Sequence, residues 1–272
     1  MELKKEQLKE AETHLNRFLP CSLPVYSSLM LNNSVLSDSL TAVVDKWPDF
    51  NVLICKPKCK EKGDLVKGIL IYANDETALK ETIRKNSALD WSRYFCLGFN
   101  HHFTEAVKAV ASEKGVPYCQ VALCNMMTLK DISDLPEINS SGIPLSSLNE
   151  SHVSLVNQMW KFGKSENSLG MIRGMVTNFP SCCVLDAEGK PVSWVLMYET
   201  CAMGILYTLP EHRRKGYAKV LIYSMAKRLH TEGYPVYCSI EEDNMPSHGL
   251  FKSLGFTEEP SYKGMWFAFN EL

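Results

Sequence analysis

The residues best suited to chemistry form a short basic segment that contains glycine, in the second half of the chain. Arg213, Gly216 and Ala218 follow the spacing Arg-x-x-Gly-x-Ala, with Arg214 and Lys215 between them. Backbone N–H groups at a helix start have no intrahelical acceptors, and the helix dipole adds partial positive charge there. If a helix follows, the segment is expected to bind an anion, most often a phosphate, with additional contacts from the two arginines.

The sequence on either side of this loop predicts a strand before it and a helix after it. Residues 200–208 have the composition of a strand, Pro210 marks its exit, and the apolar pattern of 215–231 predicts a helix that ends near Gly233. A glycine in the loop lets the backbone approach a bound group closely. An ordinary turn with surface arginines is the simpler alternative. The same site is predicted to include Thr208, Leu209 and Tyr217, although Tyr217 could instead be a packing residue.

Composition narrows the class of protein. The chain has 272 residues, of which 45% are hydrophobic and 22% charged, as expected of a globular protein. The net charge of −2 gives no electrostatic reason to expect nucleic acid as a partner. No apolar run is long enough to predict a membrane span. The first residues lack the apolar core of a secretory signal and are too acidic for a typical cleavable mitochondrial presequence.

The ten cysteines do not indicate a metal site. None of them forms a Cys-x-x-Cys pair, and no His-rich segment accompanies them. We therefore expect no bound metal and reduced thiols, which are the default inside cells.

The first half of the chain alternates between helical and strand-like patterns, which predicts an α/β domain over residues 1–140. A charged stretch at 56–67 predicts a solvated hairpin loop. The predicted elements are a helix over 2–18, a strand over 25–31, a helix over 34–44, strands over 51–55 and 68–72, a helix from Asp75 to about residue 85, a strand over 94–97, a helix over 103–114 and a strand over 118–124.

The second half, after a proline- and glycine-containing boundary at 128–145, predicts a further α/β domain over residues 141–272. The predicted elements are helices over 149–160 and 165–178, strands over 182–185, 192–198 and 200–208, the helix over 215–231, a strand over 236–240, a helix over 244–254, and closing strands at Phe256 and over 265–269.

This loop spacing, within this element order, resembles the pyrophosphate-binding loop of the GCN5-related N-acetyltransferase (GNAT) fold, which holds the diphosphate of coenzyme A. Further segments resemble the glycine N-acyltransferase family: 42–51, 155–163, 179–183, 191–194 and 207–213. The resemblance implies a mixed α/β (α+β) fold with a GNAT domain in the C-terminal half. The N-terminal order loosely echoes it, so a second GNAT-like domain is one interpretation of that half.

The family resemblance also implies an activity. Its members transfer an acyl group from acyl-CoA to the amino group of glycine, or of glutamine in some relatives. In the GNAT fold the amine attacks the thioester directly, so neither an enzyme nucleophile nor a permanently bound cofactor is expected. We therefore expect acyl-CoA and a small amino acid as the bound partners, and a monomer. The family implies a mitochondrial location, with the cytoplasm as the alternative.

The sequence departs from the family pattern where the base and the acid are expected. Many GNAT proteins carry a Glu base six residues before the position of Thr208, and here that position is Ala202. Glu199 lies three residues earlier, which on a regular strand is the opposite face unless a bulge intervenes. The alternatives are the carboxylates at the end of the next strand: Glu241, Glu242 and Asp243. The position of the usual tyrosine acid is occupied by Phe251, which cannot donate a proton.

Other polar residues have two interpretations each. Asn244 and Ser247 could bond the coenzyme A arm or cap their helix. Arg173 could pair with an amino-acid carboxylate, although a surface arginine is the simpler interpretation. Two alternatives to the amino acid acyltransferase remain: an acyl-CoA-binding pseudoenzyme or regulator that lacks the usual base, and a protein N-acetyltransferase, which the N-terminal resemblance disfavours.

Overall fold

A computed structural model describes residues 1–36, 39–58 and 68–270. The chain forms two compact units: Met1–Met126 together with Glu259–Leu272, and Met127–Glu258. By compactness, residues 127–140 and 259–272 therefore fall in the opposite unit from the predicted domains 1–140 and 141–272. The assignment of residues 1–140 and 141–272 as functional domains stays a prediction.

The described elements alternate along both units. The helices are α1 (Lys5–Leu15), α2 (Leu23–Ser34), α3 (Glu76–Ile83), α4 (Thr104–Glu113), α5 (Val153–Met159), α6 (Glu166–Asn178), α7 (Tyr217–Thr231) and α8 (Met245–Lys252). The strands are β1 (Leu40–Val44), β2 (Val52–Pro57), β3 (Ile69–Ala73), β4 (Phe95–Asn100), β5 (Tyr118–Thr128), β6 (Leu145–Ser146), β7 (Ser181–Leu185), β8 (Pro191–Met197), β9 (Met203–Thr208), β10 (Tyr237–Glu241) and β11 (Thr257–Phe269).

The first unit is a mixed sheet between two pairs of helices. Its strands lie in the order β1-β2-β3-β4-β11-β5, with β3 and β4 parallel and β4 and β11 antiparallel. Alternate side chains of a strand point to opposite faces. On β2, Ile54 accordingly packs with apolar residues of α3 and α4, while Leu53 packs with those of α1 and α2.

Two predictions for this unit are wrong. Residues 25–31 form part of α2 rather than a strand, because Pro24 occupies the first turn of the helix, where a proline is tolerated. The predicted helix over 34–44 is replaced at its C-terminal end by β1, in which Ala42 pairs with Cys55 of β2. Neither short apolar run has a periodicity that separates helix from strand, so tertiary pairing decides.

The predictions for α1, α3, α4 and the strands β2 to β5 are confirmed within a few residues at each end. The side chain of Asp75 caps α3 as expected, with its Oδ1 accepting from the N–H of Ala78 at 2.6 Å. The predicted hairpin loop over 56–67 lies, from residue 59 onward, outside the described residues.

The second unit positions the candidate site. Its strands lie in the order β10-β9-β8-β7-β6, antiparallel except for the parallel pair of β9 and β10. All seven residues of β8 are buried, which makes it the central strand of the unit's core. Helix α7 contributes buried residues to this core from one face, including Leu221, Met225 and Leu229.

Here too the sequence and the structure differ at strand ends. Strand β9 begins at Met203 rather than at residue 200, and residues 199 and 200 form a turn after β8. The two predicted closing strands are one strand, β11. The remaining predicted elements of this half are confirmed to within a few residues. Among the described residues, no helix is long and apolar enough to cross a membrane.

Candidate coenzyme A site

The loop between β9 and α7 adopts the conformation that a glycine-containing anion loop requires. After β9, Pro210–His212 form one turn of 3₁₀ helix, and Arg213 is extended with φ −69° and ψ 163°. Arg214 and Gly216 are both left-handed, with φ of 64° and 79°. A glycine adopts this conformation without the steric cost that a Cβ imposes. Gly216 is the N-cap of α7 and has no side chain to bond the helix's first N–H groups.

The backbone of this loop has the donors that an anion needs. Leu209 donates its N–H to Val192 of β8 at 2.9 Å, so its amide is used by the sheet. At the other end, Gly216 accepts bonds from Lys219 and Val220. Within the described part of the chain, the N–H groups from Arg214 to Ala218 have no acceptor. These donors lie at the positive end of a 15-residue helix, which favours a phosphate there.

Arg213 is held in place by its neighbours on β9. Its Nε donates to the carbonyl oxygen of Thr208 at 3.1 Å, and its guanidinium lies 5.6 Å from the ring centroid of Tyr207. Tyr207 in turn packs 5.5 Å from the ring of Trp194 on β8. An exposed arginine with this support loses less freedom when it binds an anion. Arg214, Lys215 and Tyr217 follow it at the loop surface and the first turn of α7.

The two parallel strands beside the loop separate. Strands β9 and β10 are in register only at Met203 and Cys238, near the start of each strand. On its other side β9 carries a bulge: Trp194 pairs with Tyr207 and Leu196 with Gly204, which leaves two residues of β9 opposite one of β8. A bulge bends its strand and increases its twist. Beyond this pair the register of β9 and β10 ends, so the two strands part on the side where β9 leads into the loop.

The structure does not bring the two predicted bases together. Ala202, the usual position of the glutamate, lies just before β9 and is 5% exposed. Glu199 lies in the turn after β8, where the carbonyl of Thr200 accepts a bond from the hydroxyl of Tyr237. The bulge of β9 lies after Ala202, so it does not shift Glu199 onto the face of that position. Glu199 is therefore not on the strand, and its part as a base stays a prediction.

Glu241 ends β10, on the side where that strand has left β9. Its carboxylate forms an ion pair with Lys161, and its backbone oxygen accepts bonds from the N–H of Asn244 at 2.9 Å and from Nε2 of His248 at 3.2 Å. The Glu241 side chain is 24% exposed and that of Lys161 64% exposed. Glu241 is thus a partly accessible carboxylate with a fixed backbone.

One of the two polar candidates at the start of α8 caps that helix. Asn244 is its N-cap, with Oδ1 accepting from the N–H of Ser247 at 3.3 Å. Phe251 is buried and packs edge-on against Phe256 at 5.1 Å, so this position belongs to the core. Arg173 of α6 pairs with Glu150 at 2.7 Å and is about half exposed, as the surface interpretation predicted. The part that Asn244 and Ser247 play toward coenzyme A stays a prediction.

Three cysteine thiols in this unit are poor nucleophiles. Burial raises the pKa of Cys238 on β10 well above its usual value and raises the pKa of Cys183 on β7 to about 12. Burial also raises the pKa of Cys182, while the nearby charge of Arg228 opposes that shift. These thiols stay protonated near neutral pH, and an acyl group transferred through them would need the thiolate.

Some site residues are missed by sequence reasoning. Lys161 and Tyr207 lie inside segments that carry the family resemblance, yet no pattern assigned either a role. Ser193 of β8 is a third, because its hydroxyl bonds that of Thr208 at 2.7 Å and fixes the end of β9. The contact between Ser193 and Thr208 joins two strands, and it can be predicted only once the register of β8 and β9 is known.

Comparison with known proteins identifies the family. The family described as aralkyl acyl-CoA:amino acid N-acyltransferase matches residues 2–180, and its C-terminal region matches residues 182–269. Among curated proteins, the glycine N-acyltransferase of Rattus norvegicus is 31% identical over 96% of both chains. The glycine N-phenylacetyltransferase of Bos taurus is 29% identical over 87% of this chain and 88% of its own.

Solved structures support the fold. An X-ray structure of a Drosophila protein covers 99% of this chain and 98% of its own with a TM-score of 0.82 at 17% identity. A tandem GNAT protein from the clavulanic acid pathway covers 100% and 97% with a TM-score of 0.56 at 14% identity. The fold is thus the mixed α/β fold of GNAT proteins. The extent of the family match and the 31% identity along nearly the whole chain show that the protein belongs to the glycine N-acyltransferase family.

Proposed function

We propose that this protein transfers an acyl group from acyl-CoA to the amino group of glycine or a related small amino acid. The observation that carries the proposal is the β9–α7 loop, where unpaired backbone N–H groups, a left-handed Gly216 and a supported Arg213 meet at the start of α7. A diphosphate fits these donors in number and charge. Family membership supports both the donor and the acceptor class.

The part of acyl-CoA beyond the diphosphate is expected to lie between the separated strands. We assign the opening between β9 and β10 to the pantetheine arm, because unpaired strand edges offer backbone donors and acceptors to an amide-containing chain. The predicted contacts of Thr208, Asn244 and Ser247 belong to this proposal.

The chemistry proposed is direct attack of the amine on the thioester in a ternary complex. The amine must first lose a proton, and a positioned base contributes about two to four orders of magnitude in rate. Of the two predicted bases, we propose Glu241, which the structure places on β10 with part of its carboxylate accessible. Because Phe251 lies in the core and cannot donate a proton, the leaving thiolate takes its proton from solvent. A thiolate is a fair leaving group, so the reaction does not need an acid on the enzyme.

A second candidate is an acyl-CoA-binding protein without transferase activity. The observation that favours it is the buried Ala202 at the usual position of the glutamate. Such a protein would bind coenzyme A through the same loop but would not catalyse acyl transfer.

One pair of measurements tests both. Thiol release from acetyl-, butyryl- and benzoyl-CoA is followed with a panel of amino acids, and coenzyme A binding is followed by calorimetry. We expect thiol release that depends on glycine or a related amino acid. Binding without product for any amino acid would refute the transferase and leave the binding protein.

A charge reversal tests the loop. In Arg213→Glu we expect the Kd for coenzyme A to rise by about 10- to 100-fold, because a charge-assisted contact is lost and a repulsion is gained. Lys190→Glu is the matched control: it changes net charge equally, in an exposed turn after β7. An unchanged Kd in Arg213→Glu would refute the assignment of the loop.

We also propose a mitochondrial location, which family membership supports and the sequence leaves open against the cytoplasm. Fluorescence microscopy of a C-terminally tagged full chain against a mitochondrial marker tests it, and a diffuse signal would contradict it.

A further inference from the structure

A small cavity lies at the edge of the second unit, between the edge strand β6, the start of β7 and the middle of α7. Its volume is about 240 Å³, and its walls carry four serines, a cysteine, an arginine and two apolar side chains. From Gly216 to Ser224, at about 1.5 Å per residue, the distance along α7 is roughly 12 Å, so the cavity is separate from the proposed coenzyme A loop. We propose that it binds a small monocarboxylate with an apolar body, which Arg228 holds.

Strand pairing and helix packing bring the walls of this cavity together. Leu145 of β6 pairs with Val184 of β7, so Leu145 and Cys182 lie on the same face of the sheet. Helix α7 packs on that face, with Ser224 and Arg228 one turn apart on one side of the helix. The cavity therefore lies between a helix wall with polar groups and a sheet wall that contains the thiol.

The sheet wall has a fixed backbone. The hydroxyl of Ser147 donates to the carbonyl of Ser181 at 3.3 Å, and the hydroxyl of Ser181 accepts a bond from the N–H of Leu148 at 3.0 Å. These bonds hold the chain after β6 against the start of β7. The cavity is thus formed before a ligand binds, which lowers the cost of binding.

Arg228 is the one charged residue that the described part of the chain contributes to the walls, and its guanidinium has donors to spare. Its Nε donates to Oε1 of Glu232 at 2.7 Å, and its Nη1 makes a long bond of 3.5 Å to the carbonyl of Ser181. Among the described residues, Nη2 has no acceptor. A carboxylate can bind the Nη edge of a guanidinium through two parallel bonds, so charge and geometry both favour this group.

A hydroxyl and a thiol add to the polar part of the cavity. The hydroxyl of Ser224 forms no hydrogen bond within the residues that the structure describes. Burial raises the pKa of the Cys182 thiol, while the charge of Arg228 and the backbone N–H of Cys183 oppose this shift. The positive charge of Arg228 is therefore felt at the thiol, on the opposite wall, as an anion in the cavity would require.

Leu145 and Met225 select the rest of the ligand. Met225 is fully buried, and Leu145 is 38% exposed at the edge of the cavity. An apolar cavity on the order of 150 Å³ holds benzene. A cavity of about 240 Å³ therefore has room for an aromatic ring or a short alkyl chain together with a carboxylate. An inorganic anion would leave both apolar side chains without a contact, so we expect an organic acid.

Glu232 limits the affinity of the site. It forms an exposed ion pair with Arg228 one turn away, and such a pair contributes little to stability. A bound carboxylate shares the guanidinium with Glu232 and is repelled by it. With one charge-assisted contact and a small apolar surface, we expect a Kd on the order of 1 mM. Glu232→Gln removes the repulsion and frees Nε, so binding should tighten about two- to fivefold.

Cys182 supplies the readout for the test. Its alkylation by iodoacetamide is followed by peptide mass spectrometry at about pH 8.5, where more of the thiol is in the reactive thiolate form. At about 20 mM benzoate, a Kd on the order of 1 mM predicts that alkylation slows about 20-fold. Benzamide has the ring without the charge and inorganic phosphate the charge without the ring, so at equal ionic strength each should slow alkylation by about threefold at most.

Variants assign this protection to the cavity. Arg228→Met should reduce protection by benzoate to that by benzamide, with each rate compared to the same protein without ligand. Arg84→Met is the matched control, because Arg84 has a similar exposure and a similar ion pair, with Glu113. Benzoate should also raise the Tm of the wild type by about 3–7 °C, and Arg228→Met should remove this rise, which does not depend on thiol reactivity.

The results that would overturn the inference are equally specific. One is equal protection by benzoate and benzamide in the wild type. Another is an Arg228→Met protein that keeps the protection and the rise in Tm. Protection by phosphate as strong as that by benzoate would overturn the class of ligand. None of these measurements uses acyl-CoA, so a failure of this site and a failure of the proposed transferase are told apart.

Discussion

Gly216 offers a clean perturbation of the coenzyme A loop, because its substitution changes backbone conformation without a steric clash. Its φ is 79°, and a Cβ built there would meet nothing within 4 Å. For an L-residue the left-handed conformation costs about 1–2 kcal/mol. Replacing glycine by alanine also restricts the unfolded chain, which returns about 0.4–1 kcal/mol. The net cost of Gly216→Ala should therefore be on the order of 1 kcal/mol.

That cost must appear either in stability or in affinity. If the loop of Gly216→Ala stays left-handed, thermal unfolding should show a Tm lower by about 2–4 °C, as expected for roughly 1 kcal/mol in a chain of this size. If the free loop relaxes to avoid the strain, its N–H groups turn away, and coenzyme A must restore them when it binds. The Kd should then rise about fivefold, since 1.4 kcal/mol corresponds to a factor of ten.

The assay pairs a thermal melt with calorimetry of coenzyme A, and Gly174→Ala is the matched control. Gly174 lies inside α6, also with nothing within 4 Å of a built Cβ, and its φ is not positive. There alanine should leave the Kd unchanged and raise stability by about 0.5–1 kcal/mol, because it favours the helix. A Gly216→Ala protein with unchanged Tm and unchanged Kd would refute the role given to the loop conformation.

Two further substitutions on and beside β9 address the support of the loop and the missing base. Tyr207→Leu should raise the Kd for coenzyme A about two- to fivefold, since an exposed cation–π contact is worth about 0.5–1 kcal/mol; Tyr223→Leu, which removes a similar contact on α7, is the control in the same calorimetric titration. Ala202→Glu should raise kcat for glycine by about 10- to 100-fold if the position is a vacated base site, as measured by thiol release; an unchanged kcat would show that a carboxylate there does not reach the amine.

The parts of the fold with strong local signals were predictable from the sequence. Helix α7 has a regular apolar face and a glycine at its start, and α6 has Ser165 as a side-chain cap, so both were placed within two residues. The apolar run in α2 and the residues of β1 carry no such signal. Their type depends on which neighbours they pair with, and that information is spread over distant parts of the chain.

The candidate site was likewise predictable from the sequence only in part. The loop from Arg213 to Ala218 is contiguous, so its spacing, together with the strand and the helix predicted on either side, was enough to predict an anion site. The pair of Lys161 and Glu241 joins the α5–α6 turn to the end of β10, and no local pattern links them. The stacking of Arg213 on Tyr207 likewise depends on how the loop turns back over β9. Contacts of this kind follow from the fold and are visible only once the elements are in place.

In our proposal, donor binding and base function depend on different parts of the chain. Past its bulge, β9 leads to the loop to which we assign the donor, and its residues hold Arg213 through Thr208 and Tyr207. Before the bulge, the position expected to hold the base is Ala202. Among the described residues, Arg213 is held by Thr208 and Tyr207 and not by Ala202, so a missing carboxylate at that position does not disturb this support of the proposed donor loop. The base that we propose instead is Glu241, at the end of β10, whose carboxylate is partly exposed and forms an ion pair with Lys161.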